Sequence, residues 1–153
     1  MAKVIVVYET RYGNTKLVAE KIIEGMKEVK GIETVPSEVK EVDLNQIANY
    51  DAVLIGSPNH IGGPTRGVKK FIDKLGKLNL GEKLFAVFDT YLGKDFEKAV
   101  KKMENRINEK APGFKQIVPG LSIRVQGIKS PVLEEELPKC KDFGKKIANQ
   151  LKT

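Results

Sequence analysis

Three stretches of the chain, Lys3–Val7 (KVIVV), Asp51–Gly56 (DAVLIG) and Glu82–Phe88 (EKLFAVF), are apolar almost without interruption and rich in β-branched or aromatic residues. A strand with one wet face alternates apolar and polar side chains. These do not, which is the pattern of strands covered on both faces, as in a parallel sheet between two layers of helix. A segment with helical periodicity follows each run. Val18, Ala19, Ile22 and Met26 share one stripe, with Gly31 as its stop; Val68, Phe71, Ile72 and Leu75 share a second; Phe96, Ala99, Val100, Met103 and Ile107 share a third.

Two further segments have the patterns of sheet edges. Ile32–Val42 alternates weakly and carries Pro36, which cannot donate to a strand ladder. In the segment from Pro119 to Gly127, Leu121, Ile123 and Val125 alternate with Ser122, Arg124 and Gln126. A last helix buries Leu137, Cys140, Phe143, Ile147 and Leu151. Five strands alternating with helices predict an α/β fold in which a doubly wound five-stranded parallel sheet carries helices on both faces. Edge patterns in the second and fifth strands favour the order 2-1-3-4-5. That order has a switch point between strands 1 and 3, and ligands of such folds bind there, outside the carboxyl ends of the strands. The loops after strands 1, 3 and 4 are therefore the candidate functional segments.

Composition narrows the function. At 153 residues and 41% apolar content, one domain spanning residues 1–153 is expected. No stretch approaches the roughly 18 to 20 apolar residues that would cross a bilayer, and the start lacks a signal-peptide pattern, so a soluble, cytoplasmic protein is expected. Cys140, the only cysteine, falls at a core position of the last helix and reads as packing. The charge of +7 suits nucleic acid, an acidic protein or an acidic membrane. The lysines are scattered in pairs such as Lys69-Lys70 and Lys145-Lys146 and interleaved with glutamates, the pattern of solvated helix faces. Neither nucleic-acid binding nor membrane insertion is expected.

The loop after strand 1 reads Glu9-Thr10-Arg11-Tyr12-Gly13-Asn14-Thr15-Lys16. Thr10, Asn14 and Thr15 supply neutral hydrogen-bonding side chains, Gly13 permits a tight turn, and the open N–H groups of the following helix attract an anion. The alternative is that Asn14 or Thr15 caps the helix. The Gly-Lys-Ser/Thr ending of a P-loop and the G-x-G-x-x-G turn are both missing, which disfavours a nucleoside triphosphate and leaves a monophosphate ester. A phosphoacceptor signalling module of the same strand order needs an Asp at the end of strand 3, where this chain has Gly56-Ser57-Pro58.

The hexapeptide Thr10-Arg11-Tyr12-Gly13-Asn14-Thr15, preceded by VIVVYE, resembles the phosphate loop [ST]-x-T-G-N-T of the flavodoxin family, and the resemblance extends over nearly the whole chain. The loop looks most like that of short-chain archaeal and anaerobic flavodoxins and of the flavodoxin module of flavodiiron proteins. Tyr12 departs from the common Thr. The resemblance implies FMN as cofactor, with Thr10, Arg11, Tyr12, Gly13, Asn14 and Thr15 around its phosphate. It implies that Ser57, Pro58, Asn59, His60, Ile61, Gly62 and Gly63 line one face of the isoalloxazine, with the Ile61-Gly62 peptide responding to redox state. It implies that Asp89, Thr90, Tyr91, Leu92 and Gly93 line the other, with Tyr91 stacked on the ring. A fifth strand without a long interruption goes with the short-chain members.

The implied function is that of a low-potential one-electron carrier between redox proteins. The excess of positive charge predicts partners with an acidic docking surface, ferredoxin-like or a reductase. A flavodoxin-like NAD(P)H:quinone reductase is the alternative, although it would normally bring extra segments. No catalytic pair is apparent, and a single histidine gives no sign of a metal site.

Overall fold

A computed structural model of the chain describes residues 1–127, 129 and 131–152. In chain order the elements are β1 (Ala2–Tyr8), α1 (Asn14–Lys27), β2 (Ile32–Glu38), β3 (Ala52–Pro58), α2 (Arg66–Leu75), β4 (Lys83–Tyr91), α3 (Lys98–Lys110), β5 (Phe114–Gln116), β6 (Leu121–Arg124) and α4 (Leu137–Leu151). The strands form one parallel sheet in the order β2-β1-β3-β4-β5, and β6 also pairs with β4.

The period-2 geometry of a strand sends alternate residues to opposite faces, so each central strand feeds two cores. Val4, Val6, Leu54, Ala86 and Phe88 pack on one face with α1 and α4. Ile5, Val7, Val53, Ile55, Phe85 and Val87 pack on the other with α2 and α3. This is why the three runs are apolar throughout. Cys140 lies fully buried in the first core, where burial pushes its thiol up to about 12, consistent with packing.

The edges differ from the sequence expectation. Strand β2 ends at Glu38 rather than near Val42, because Val39–Glu41 turns into a short 3-10 helix. The fifth strand is two pieces along β4, with Phe114 opposite Lys83 and Leu121 opposite Phe88, separated only by Ile117–Gly120. Phe96 is not in the core. The chain turns at Asp95–Glu97, Glu97 adopts φ 61, and α3 starts only at Lys98, leaving Phe96 outside in a T-shaped contact with Tyr91, with ring centroids 5.4 Å apart.

Helix α3 is capped from other elements. Glu97, its N-cap residue, makes no side-chain cap bond. Instead Glu97 N–H donates to Ser122 Oγ, Lys98 N–H to the Asp95 carbonyl, Ala99 N–H to Asn59 Oδ1 and Val100 N–H to Asp89 Oδ2. The orphan donors that every helix start presents are thus satisfied mostly by the sheet and its loops. Ser122 Oγ also donates to Asp89 Oδ1 at 2.5 Å. Asp89 is fully buried, and burial pushes its carboxyl up to about 6 despite these bonds; Glu97 adds to the rise.

The α1–α4 contact rests on two glycines. A Cβ on Gly144 would lie 2.0 Å from the Ile22 carbonyl oxygen, and one on Gly25 would lie 2.1 Å from that of Lys141. Alanine is better than glycine in a helix by about 1 kcal/mol, yet overpacking against backbone costs about 1–3 kcal/mol. Gly144→Ala is therefore expected to lower stability by up to about 2 kcal/mol in urea unfolding, and a variant more stable than the wild type would contradict the close approach. Asp89 gives a second test. A carboxyl whose folded pKa is raised contributes stability at low pH that is lost as pH rises toward and through about 6. Relative to Asp89→Asn, the wild-type chain should lose on the order of 2 kcal/mol between about pH 4 and pH 7. Parallel stability curves for the two proteins would contradict it.

Candidate functional site

The carboxyl ends of β1, β3 and β4 open into a pocket of 440 Å³. Its polar end is the first loop. Thr10 Oγ1 accepts from Gly13 N–H at 3.0 Å, which closes the loop on itself, and Gly13 holds φ 93, a conformation in which most side chains are strained. Gly13 is the N-cap of α1 and, as a glycine, brings no side chain to cap it. Asn14 and Thr15, the alternative caps, are instead its first helical residues, and both line the pocket with Thr10, Arg11 and Tyr12. Thr15 is buried, its Oγ1 3.2 Å from Thr90 Oγ1, so the first loop and β4 share a floor. The positive end of the α1 dipole thus meets two hydroxyls and one carboxamide. That donor set suits a small anion, with no lysine required.

One side wall is Pro58, Asn59, His60 and Ile61. His60 N–H donates to the Gly63 carbonyl at 2.7 Å across a turn in which Ile61 has φ 53 and Gly62 φ 69. A β-branched residue in the left-handed region is strained by about 1–3 kcal/mol, and no packing of the side chain offsets it, because Ile61 is 92% exposed. Ser57, Gly62 and Gly63 stand behind this wall rather than on it. Ser57 is buried, accepting from Thr65 N–H and donating to the Pro58 carbonyl, while the Lys98 and Lys102 stems lie against Gly62 and Gly63.

Thr90, Tyr91 and Leu92 form the facing wall. Gly93 falls outside it, and Asp89 lies beneath, turned toward α3 and β6. Two lining residues, Asp95 and Val125, escaped the sequence reading. Val125 N–H donates to the Tyr91 carbonyl, so it belongs to the end of the fifth strand, which extending the carboxyl-end rule by one strand would have included.

Apolar side chains gather at the mouth: Tyr12 is 51% exposed, Leu92 40% and Phe96 56%. With Ile61 they are the exposed large hydrophobic residues apart from Met1 among the described residues. Cations stand around them. Arg11 lines the pocket, Lys129 Nζ lies 5.5 Å from the Tyr12 ring centre, and Lys98 pairs with Asp95 at 3.3 Å. Among the described residues no group of three or more His, Cys, Asp or Glu could hold a metal ion, and no helix is long and apolar enough to cross a membrane.

The flavodoxin domain family matches residues 5–130. A flavodoxin of Aquifex aeolicus (strain VF5) is 37% identical over 73 residues, which cover 48% of this chain and 40% of that protein, less than half the relative's length. Among solved structures, a flavodoxin from the domain Archaea is 28% identical with a TM-score of 0.84 over 99% of each chain. Oxidised flavodoxin 2 from Bacillus cereus is 28% identical with a TM-score of 0.82, covering 97% of this chain and 99% of that one. A family match over most of the residues, a shared sheet order and a pocket at the switch point lead to one conclusion: the chain belongs to the flavodoxin family, whose cofactor is FMN.

Proposed function

We propose that residues 1–153 act as one flavin-binding domain that holds FMN in this pocket and carries single electrons at low potential between redox proteins. The observation that carries the reading is the start of α1 on a left-handed glycine, with Asn14 and Thr15 in its first turn, at the polar end of a slot between two walls. Thr10, Asn14 and Thr15, with the first-turn N–H groups, would hold the phosphate; Gly13 sets the turn, and Arg11 and Tyr12 flank it. Pro58, Asn59, His60 and Ile61 would face one side of the ring, supported by Ser57, Gly62 and Gly63. Thr90, Tyr91 and Leu92 would face the other, supported by Asp89 and Gly93.

When bound, FMN supplies the redox chemistry. The protein's part is binding and shielding. Tyr91, in a T-shaped pair with Phe96, would offer its ring to a planar cofactor, and Thr15 and Thr90 close the floor against water. The strained Ile61-Gly62 peptide lies where the wall ends, outside any helix or strand, which supports its assignment as the redox-responsive segment.

The apolar mouth and its cations support docking on an acidic protein, ferredoxin-like or a reductase. A cytoplasmic location goes with that role. The net charge of +7 also supports a reduction potential for the lower couple less negative than in acidic flavodoxins.

Flavin-free protein titrated with FMN is expected to bind one equivalent, quench its fluorescence and turn yellow; failure to bind at excess FMN would remove the proposal. Thr15→Val keeps the volume but loses the hydroxyl, and should weaken FMN binding about tenfold; an unchanged affinity would move the phosphate elsewhere. Electron transfer to an acidic ferredoxin should slow as salt is added, because screening weakens opposite-charge attraction. A rate that rises with salt would contradict the docking reading.

A further inference from the structure

Of the side chains that cap α3, one also lines the pocket. Asn59 donates twice to the Thr90 carbonyl, from its backbone N–H at 2.9 Å and from Nδ2 at 3.1 Å, and its Oδ1 accepts from Ala99 N–H at 3.1 Å. A residue of the 58–61 wall is therefore tied to the base of the opposite wall and to the first turn of α3. The far end of the same segment is also anchored. Thr65 N–H donates to Ser57 Oγ, and Thr65 Oγ1 donates to Glu9 Oε1 at 2.5 Å. Between these anchors lies the left-handed pair Ile61 and Gly62.

We infer that Asn59 is a positioning residue for the pocket: by holding the 58–61 wall to both Thr90 and α3, it sets the separation of the two walls between which the flavin is proposed to lie. The dependence is built in both directions. Ala99 N–H has its cap from Asn59, while the neighbouring Val100 N–H and Glu97 N–H have theirs from Asp89 and Ser122, which are bonded to each other. Motion of the turn is confined to the residues after Asn59. Loss of the Asn59 amide, by contrast, releases the start of α3, and with it the Tyr91–Phe96 wall that leads into the helix.

The test combines amide hydrogen exchange on the flavin-free chain with FMN affinity. Asn59→Ala is expected to lower protection at Ala99 and across residues 90–96 by about tenfold, and to weaken FMN binding by about tenfold, since two side-chain bonds are lost. Asn59→Asp at about pH 8 keeps an acceptor for Ala99 but has no donor for the Thr90 carbonyl or for the neighbouring Asp89 carboxylate, which the Asn59 amide also faces. It should retain protection at Ala99, lose it at residues 90–92 and still bind FMN weakly. Ile147→Val, in the α1–α4 core, serves as the control for lost stability and should leave FMN affinity within about twofold.

Exchange changes confined to residues 58–63 in Asn59→Ala, or wild-type affinity in Asn59→Asp, would overturn the inference. Its binding arm rests on the flavin reading of the pocket; its exchange arm does not. If the wild-type chain takes up no FMN while Asn59→Ala still loosens residues 90–100, the flavin reading fails and the positioning role stands.

Discussion

The position of β1 between β2 and β3 is the constraint from which the site follows. The chain leaves β1 through α1 on one face of the sheet, runs out to the β2 edge, and returns across β1 to β3 before α2 covers the other face. The loops after β1 and β3 therefore diverge to opposite faces, and the crevice between them cannot be closed by either. Parallel pairing of β1 with β3, and of β3 with β4, brings all three carboxyl ends to the same level. The pocket is a consequence of strand order before any of its side chains is considered.

Two helices begin at this crevice, and they begin differently. Helix α3 has every N–H of its first turn bound, three of them to side chains of Ser122, Asn59 and Asp89. Helix α1 starts on a left-handed glycine with no side-chain cap. A helix start satisfied from all sides is a fixed support, whereas one that begins on a glycine turns its positive end toward the pocket without a side chain of the N-cap residue in the way. The protein thus combines a rigid wall with a set of neutral polar side chains lining the pocket at the start of α1. The strained turn at Ile61 is the exception in an otherwise pinned site, and its exposure, with that of Phe96 and Leu92, puts apolar surface at the mouth where a partner would approach.

The centre of the fold was legible in the sequence because double burial leaves a local mark: Val53 and Leu54 are adjacent in the chain, yet belong to different cores, and both must be apolar. The first loop was legible for a similar reason, since Gly13, Asn14 and Thr15 have local tasks. What stayed hidden was set by distant partners. Asp89 looks like an ordinary polar residue at a strand end, and its burial depends on Ser122 and Val100. Gly25 and Gly144 look like flaws in their helices until the two backbones are seen in contact. Phe96 fits the helical stripe by spacing, but the left-handed Glu97 breaks the period before α3 begins. Strand β5 contributes one buried residue, Phe114, followed by Lys115 and Gln116, too short a signal to show alternation.

The central claim is that neutral donors at the start of α1 hold the phosphate of the flavin nucleotide. Amide chemical shifts followed during parallel titrations with FMN and riboflavin, which lacks the phosphate, test it most directly. The account predicts that FMN moves the amides of Asn14, Thr15 and Lys16 strongly and riboflavin does not, while both move Tyr91. Equal displacement of the α1 amides by the two ligands, or none by FMN, would contradict it.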